Sequence, residues 1–381
     1  MTRPIRLLQG AAFLSQFDRM VIAPLLLVIA ADLATSIEAV AATATTYFIG
    51  YGLMQLVWAV ASDRLGRVRT LRLALTVGAL ACLASAVAPG VITLTIARIL
   101  AGAAFAAAVP ATLTYVGDTV PLHRRHAPLA DIMTATAVGM AVATLVAAVL
   151  AQYSDWRLAF LGPGLLTALL VIALRQLPEP ERATDRPAVL ASIRMVVGQR
   201  WAVTVIAFSF IEGAVLVGPL PLLPTVLQLA GMGTAASGLV TASYGAAVIA
   251  FATLVKPAAR QLSNATLMAI GGGSAVLAFG ALLLDAGFAG VLAASVLLAV
   301  AWAFLHSTLQ KWATEVVPAS RAIMVALFAS ALFLGGSLGT GLGTPFVAVA
   351  HYVPYFSVGL LTTAALTVAV VLAQRRYSAR H

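Results

Sequence analysis

Four ionisable residues lie inside stretches that are otherwise apolar: Asp18 and Arg19 in Leu14-Ser-Gln-Phe-Asp-Arg-Met-Val-Ile-Ala-Pro24, Arg98 in Thr95-Ile-Ala-Arg-Ile-Leu-Ala-Gly102, and Glu212 in Phe208-Ser-Phe-Ile-Glu-Gly213. Asp131 and His306 are placed less centrally, His306 near the inner end of its segment. A charge at the centre of a bilayer costs several kcal/mol by most estimates, so each is a candidate for proton transfer or ligand binding. Neighbours on a helix point about 100° apart, so Asp18 and Arg19 cannot face each other and need separate partners. The expected arrangement sets Asp18 against Arg98 and turns Arg19 toward Glu212. Withdrawing the guanidinium, by substrate or by motion, then lets the carboxylate take a proton. The competing reading is a static lattice of ion pairs that ties helices together. Asp118, beside Arg124 and Arg125, reads as structural.

The elements that position these charges follow from composition. Of 381 residues, 61% are hydrophobic and 9% charged, and the mean hydropathy is +1.01. A soluble domain needs about 25% charged residues to cover its surface, so this chain is an all-α polytopic membrane protein. Apolar runs of membrane-spanning length fall at about 8–31, 40–61, 71–89, 92–116, 128–152, 157–175, 201–229, 236–256, 264–284, 288–312, 322–347 and 352–373, giving twelve spans. At a rise of about 1.5 Å per residue, Asp18 lies about 12–15 Å and Glu212 about 17 Å from the inner face, and Arg98 about 10 Å from the outer face. Arg3 and Arg6 precede a run too long for a cleavable signal. The lone Cys82 reads as packing.

The net charge of +10 comes largely from arginines that fall in alternate loops. Arg3 and Arg6, Arg64 to Arg72, Arg124 and Arg125, Arg175 to Arg200, Lys256 and Arg260, Lys311 and Arg321, and Arg375 to Arg380 share one side, whereas Arg157 stands on the other. By the positive-inside rule both termini are cytoplasmic. The excess charge is topology and not a nucleic-acid footprint. The polar stretch 176–200 separates an N-terminal bundle, 1–175, from a C-terminal bundle, 201–381. Internal duplication supports two halves. Asp118-Thr-Val-Pro-Leu-His-Arg124 and Glu315-Val-Val-Pro-Ala-Ser-Arg321 both fit acid-x-Val-Pro-x-x-Arg. A weaker echo joins Ala59–Arg67 to Ala252–Arg260, and its offset carries Arg19 onto Glu212.

The loop Asp63-Arg-Leu-Gly-Arg-Val-Arg69 resembles the Gly-x-x-x-Asp-Arg-x-Gly-Arg-Arg signature of the major facilitator superfamily, with Ala59 at the first glycine and Val68 inserted between two arginines. Arg98-Ile-Leu-Ala-Gly102 resembles the family's Arg-x-x-x-Gly element, which is associated with proton coupling, and Trp156-Arg-Leu-Ala-Phe160 its Trp-Arg-x-x-Phe entry. His306-Ser-Thr-Leu-Gln-Lys-Trp312 and Gly335-Gly-Ser-Leu-Gly-Thr-Gly-Leu-Gly343 are similar to bacterial drug/metabolite:proton antiporters of the arabinose-efflux-permease type. Gly139-Met-Ala-Val-Ala143-Thr-Leu-Val-Ala-Ala148 departs from the Gly-x-x-x-Gly-Pro-x-x-Gly-Gly of such exporters.

The resemblance implies the major facilitator fold, twelve transmembrane helices in two pseudo-symmetric six-helix bundles, working by alternating access. It implies no enzyme, no metal and no organic cofactor, with a proton gradient as the drive. The expected partners are a small-molecule substrate, protons and the lipid bilayer of a bacterial inner membrane, with the chain a monomer. The expected function is proton-coupled export of a hydrophobic or amphipathic compound; the alternative is proton-coupled uptake of a small metabolite. Asp18, Arg98 and Glu212 are the proton-coupling candidates. Arg19, Ser15, Phe17, Tyr47, Tyr51, Phe208, Tyr244 and Trp302 are those for the substrate cavity, with Phe13 and Phe210 as further aromatics. Asp63, Arg64, Gly66 and Arg67 form the expected gate, Asp63 reaching the start of the eleventh span near Ser320. Pro219 and Pro221 join them because prolines make the outer half of the seventh span irregular.

Overall fold

A computed structural model describes residues 2–180 and 189–379, almost all of them helical. Residues 181–188, with Arg182 and Arg186 of the expected inner charge, lie outside the described residues, as do Arg380 and the side chains of Arg3 and Lys256. Twelve described helices are long and apolar enough to cross a membrane. They run Pro4–Asp32, Ile37–Leu65, Arg67–Ala86, Val91–Thr119, His126–Tyr153, Leu158–Gln176, Arg200–Val217, Thr234–Gln261, Asn264–Leu284, Phe288–Val316, Pro318–Ala348 and Tyr352–Ser378. Several outrun their apolar cores, because backbone hydrogen bonding continues after the hydrocarbon ends. An even number of crossings puts both termini at one end of the bundle.

Hydrophilic breaks between spans are short and chemically marked. Ser36 accepts from Ala39 N–H (3.2 Å) and Ser263 from Thr266 N–H (3.1 Å), capping two helix starts. Gly66, at φ 107°, turns the chain between the second and third spans, and Glu179 caps the third by accepting from Val68 N–H and Arg69 N–H, both at 3.1 Å. Asp285 accepts from Gly290 N–H (3.0 Å) and Gly287 N–H (2.8 Å), and these bonds hold its carboxyl below the ordinary carboxylate range.

Four spans are interrupted: the first, fourth, seventh and tenth. The first changes from α-helix at Met20 to a 3₁₀ turn at Ala23–Leu25, where Pro24 supplies no N–H. The fourth is broken between Phe105 and Ala108. The seventh passes through a π turn, Gly213–Val217, and then turns containing Pro219 and Pro221 before Leu223–Leu229. The tenth carries a second π turn at Trp302–His306. The outer irregularity of the seventh span is therefore present. Breaks recurring every third span match a duplicated half, and they face protein, where freed backbone groups find partners.

Small residues set the packing. Within the second half, a Cβ at Gly335 would collide with the Phe210 carbonyl, one at Gly339 with that of Ala214, and one at Gly213 with that of Leu332. The seventh and eleventh spans thus touch backbone to backbone. Across the halves, the second span packs on the eleventh and the fifth on the eighth. Ala148 and Ala141 oppose Gly238 and Gly245, and Thr45 opposes Gly341. At the end away from the termini, Gln228 Nε2 donates to the Pro24 carbonyl (2.9 Å) and Ala235 N–H to Gln152 (2.6 Å), so that end is closed. Gly335→Ala is expected to lower stability by about 1–3 kcal/mol through overpacking, read as a fall in thermal midpoint in detergent. Gly280→Ala, a position with open space around it, serves as the control and leaves the midpoint unchanged.

Candidate functional site

The first and fourth spans bring Asp18 and Arg98 together. Arg98 Nη1 donates to Asp18 Oδ1 at 2.8 Å and Nη2 to Oδ2 at 2.9 Å, a bidentate pair with both side chains 1% exposed. Nη2 also donates to the Asp18 carbonyl at 2.9 Å. That bond is available because the helix ends at Met20, and carbonyls of a last turn run out of helical donors. The guanidinium lies between the rings of Tyr47 (4.8 Å) and Phe160 (5.1 Å), whose faces attract a cation. The Cys82 thiol donates to Asp18 Oδ1 at 3.1 Å, so this cysteine is a polar partner of the pair and more than packing.

Glu212 is fully buried at the end of its helix, against the first π turn. Its partner is His306, not Arg19: Nδ1 to Oε2 measures 3.3 Å, and Oε1 has no partner among the described residues. The wider π turn brings residues four apart nearly into line, and the His306 ring stacks on Trp302 with centroids 3.8 Å apart at 17°. His306 is buried beside Glu212, a pairing that its expected place near the inner end of the span does not supply.

Arg19 instead turns to the seam between the halves. Its Nη2 contacts the Met140 sulfur at 3.0 Å, the guanidinium carbon is 5.5 Å from the centre of the Phe333 ring, and Nε is unpartnered. The expected Arg19–Glu212 pair is not formed: Glu212 meets His306 of the tenth span, and Arg19 meets Met140 of the fifth. Phe333 also meets Tyr51 (4.2 Å) and Phe48 (6.1 Å), an aromatic contact across the halves. Nearby, Met20, Met140, Leu220, Tyr244 and Ser295 are among the walls of a cavity of about 20 Å³, room for about one water.

The other expected residues divide. Tyr47, Tyr51, Tyr244 and Trp302 join these clusters. The Ser15 hydroxyl donates to the Phe105 carbonyl (3.1 Å), fastening the first span to the broken fourth. Phe17 is core beside Phe13, and Phe208 packs on the core of the second half. Phe210 is exposed on the bundle's outer surface and lines nothing. Asp131 is exposed toward the termini end. At the loop after the second span, Arg67 donates to Asp63 (2.6 Å), Ser62 (2.9 Å) and Asp118 (2.9 Å). Asp63 thus bonds Arg67 within its own half, and Asp118 serves Arg67 where Arg124 and Arg125 were expected. The Ser320 hydroxyl meets the Met195 sulfur at 3.4 Å. Arg64 is exposed, whereas Pro219 and Pro221 are buried at the closed end. Among the described residues no His/Cys/Asp/Glu group is arranged to hold a metal.

Sequence reasoning missed Cys82, Met140 and the Glu212–His306 pairing. The available signal was the spacing Trp302-x-x-x-His306 in an apolar span, an aromatic and an imidazole on one helix face.

Comparison with known proteins places the geometry. A family model described as Major Facilitator Superfamily matches residues 10–340. The chain is 31% identical over 178 residues to a uridine/deoxyuridine transporter of Lactococcus lactis subsp. cremoris, covering 46% of this chain and 37% of that protein. It is 28% identical over 132 residues to the niacin transporter NiaP of Acinetobacter baylyi, with 35% and 30% covered. To a gallate transporter of Pseudomonas putida it is 30% identical over 154 residues, with 38% and 34% covered. The matched segments thus span about a third of the length of these relatives. The fold superposes on a crystal structure of a mutant of the nucleoside transporter NupG with a TM-score of 0.79 at 15% identity, covering 97% of this chain and 99% of that one.

Breaking one side of the Asp18–Arg98 pair strands a buried charge, at about 3–5 kcal/mol. Asp18→Asn and Arg98→Gln should each lower the thermal midpoint and folded yield strongly. The double variant should recover part of the loss, and additive single losses in a double-mutant cycle would show that the two groups do not interact.

Proposed function

The chain belongs to the major facilitator superfamily, and on that premise we propose that it carries a small polar metabolite into the cell together with protons, by alternating access of one central site to the two sides of the membrane. The observation that carries the inward direction is the fifth span. His126–Tyr153 is an unbroken helix, with Ala143 and Thr144 where exporters of the resembling type carry Gly-Pro. Its small face packs on the eighth span through Ala141 and Ala148. The relatives' names favour a metabolite over a drug as cargo: they are transporters of uridine and deoxyuridine, niacin and gallate. The export of hydrophobic compounds expected at first gives way to uptake, and the likeness to drug antiporters narrows to the superfamily.

Asp18, Arg98 and Glu212 keep their proposed part in proton coupling, divided by geometry. A proton on Asp18 must displace a bond from Arg98 or Cys82. Glu212 has an oxygen without a hydrogen-bond partner among the described residues, where a proton can bind, and His306 beside it supplies a relay. Glu212 therefore takes the proton, and the Asp18–Arg98 clamp holds the first span in register while the seventh and tenth spans move. The π turns flanking Glu212 and His306 are the flexible elements. Arg67, joining Asp63 and Asp118, steadies the loop end of the first half as the gate. The protein acts as a monomer in the bacterial inner membrane with cytoplasmic termini, driven by the proton gradient.

Proteoliposomes oriented with the termini inside should accumulate radiolabelled uridine, nicotinate or gallate under an inward proton gradient. Glu212→Gln should keep counterflow exchange yet lose gradient-driven accumulation, on the order of tenfold. Extrusion of preloaded compound against that gradient would overturn the uptake reading.

A further inference from the structure

We infer that Arg19 is the anchor for a substrate carboxylate, and that the cargo is a small aromatic monocarboxylate. This rests on the central site proposed above, but not on the direction of transport or on proton coupling. Arg19 is 6% exposed, and among the described residues no carboxylate lies within ion-pair distance. Three other arginines at or near the interior are paired: Arg98 with Asp18, Arg67 with Asp63 and Asp118, Arg157 with Asp32. Arg19 has a thioether sulfur, which is a weak acceptor, and the face of one aromatic ring, while Nε donates to nothing. A cation held away from water without a counterion is unfavourable unless an anion arrives to meet it.

The location fits a visiting anion. Met140 belongs to the fifth span and Phe333 to the eleventh, so the guanidinium sits between the halves that must move apart and together. The ring of Phe333 carries Arg19 on one side and packs with Tyr51 and Phe48. A planar ring whose carboxylate lies on Arg19 can take up this aromatic contact as the halves part, with stacking replacing stacking. Charge selects a monoanion over a phosphate. The buried ionisable groups around Arg19 are the Asp18–Arg98 pair, the Glu212–His306 pair, and Tyr47, Tyr51 and Tyr244. Asp18 and Arg98 cancel, which leaves the Arg19 guanidinium and the Glu212 carboxylate. A dianion would add two negative charges to that of Glu212 against a single free cation. A monocarboxylate adds one negative charge, which the Arg19 guanidinium answers.

The test is equilibrium binding to the purified full chain in nanodiscs, using benzoate, nicotinate and gallate against benzamide, nicotinamide and uridine. The acids should bind about tenfold or more tightly than their amides, from charge-assisted hydrogen bonds to Arg19. Arg19→Gln should erase that preference, and Arg19→Lys should keep part of it, since the charge remains but the planar fork is lost. Should Arg19→Gln fail to fold, the acid-to-amide ratio on the unaltered protein still decides. Acids binding no better than amides, or an unchanged preference in Arg19→Gln, overturns the assignment. Gradient-driven uptake of uridine without acid preference removes the anchor and leaves the importer. Acid preference with outward transport alone leaves the anchor and removes the importer.

Discussion

Inside hydrocarbon only protein can satisfy a polar group, and the architecture of this chain follows from that constraint. Twelve helices bond their own backbones, so nearly the whole chain is free to be alanine, leucine, valine and glycine. Wherever a helix is broken, the freed groups must be met by neighbours. The carbonyl of Asp18, close to the end of its helix, is met by Arg98. The Gly218 carbonyl, just past the first π turn, accepts from Thr340 at 2.9 Å. The breaks therefore face inward, and the charged side chains gather at the same places. Polar chemistry and helix irregularity are two results of one requirement.

The same constraint explains the glycines of the eleventh span. Lipid is as apolar as leucine, so helices in a membrane gain little by burying greasy side chains against each other. Close backbone approach and interhelical hydrogen bonds take over that work. Gly335 and Gly339 let the seventh span come within backbone contact. Thr340 can reach Gly218 only because of that approach, and Tyr355 reaches the Gly339 carbonyl at 3.1 Å for the same reason. The π turn beside Glu212 is thereby gripped on one side while its side chain points to the tenth span.

Much of this was legible in sequence because charge and apolar length are local signals. Twelve spans, a helix broken by Pro219 and Pro221, and Asp18 facing Arg98 all follow from hydropathy, proline chemistry and the 100° step along a helix. What resisted were facts of register between distant helices. A π turn shifts every later residue around its axis, and no composition rule places one at Gly213 or Trp302. The repeat offset sends Glu212 toward Arg19, and nothing in it pairs Glu212 with His306. The observed contact between them is a matter of how the seventh and tenth spans meet. Cys82 was underestimated for another reason: a thiol amid alanines looks inert until a carboxylate from another span lies against it.

The two halves descend from one pattern yet end in opposite chemical states. The first half closes its carboxylate with a guanidinium and a thiol, and the guanidinium in turn meets two aromatic faces. The second half answers its carboxylate with one imidazole at 3.3 Å and leaves an oxygen bare. A machine that alternates needs both kinds of joint: a fixed reference against which motion is measured, and a site whose occupancy alters the balance of conformations. Occupancy can shift such a balance only where binding differs between states, and a saturated pair such as Asp18–Arg98 has little difference left to offer. Glu212 Oε1 and Arg19 Nε are among the buried polar atoms left without a hydrogen-bond partner in the described residues. Both lie on spans interrupted beside them, so unmet polar atoms and breaks in the helix ladder fall at the same places.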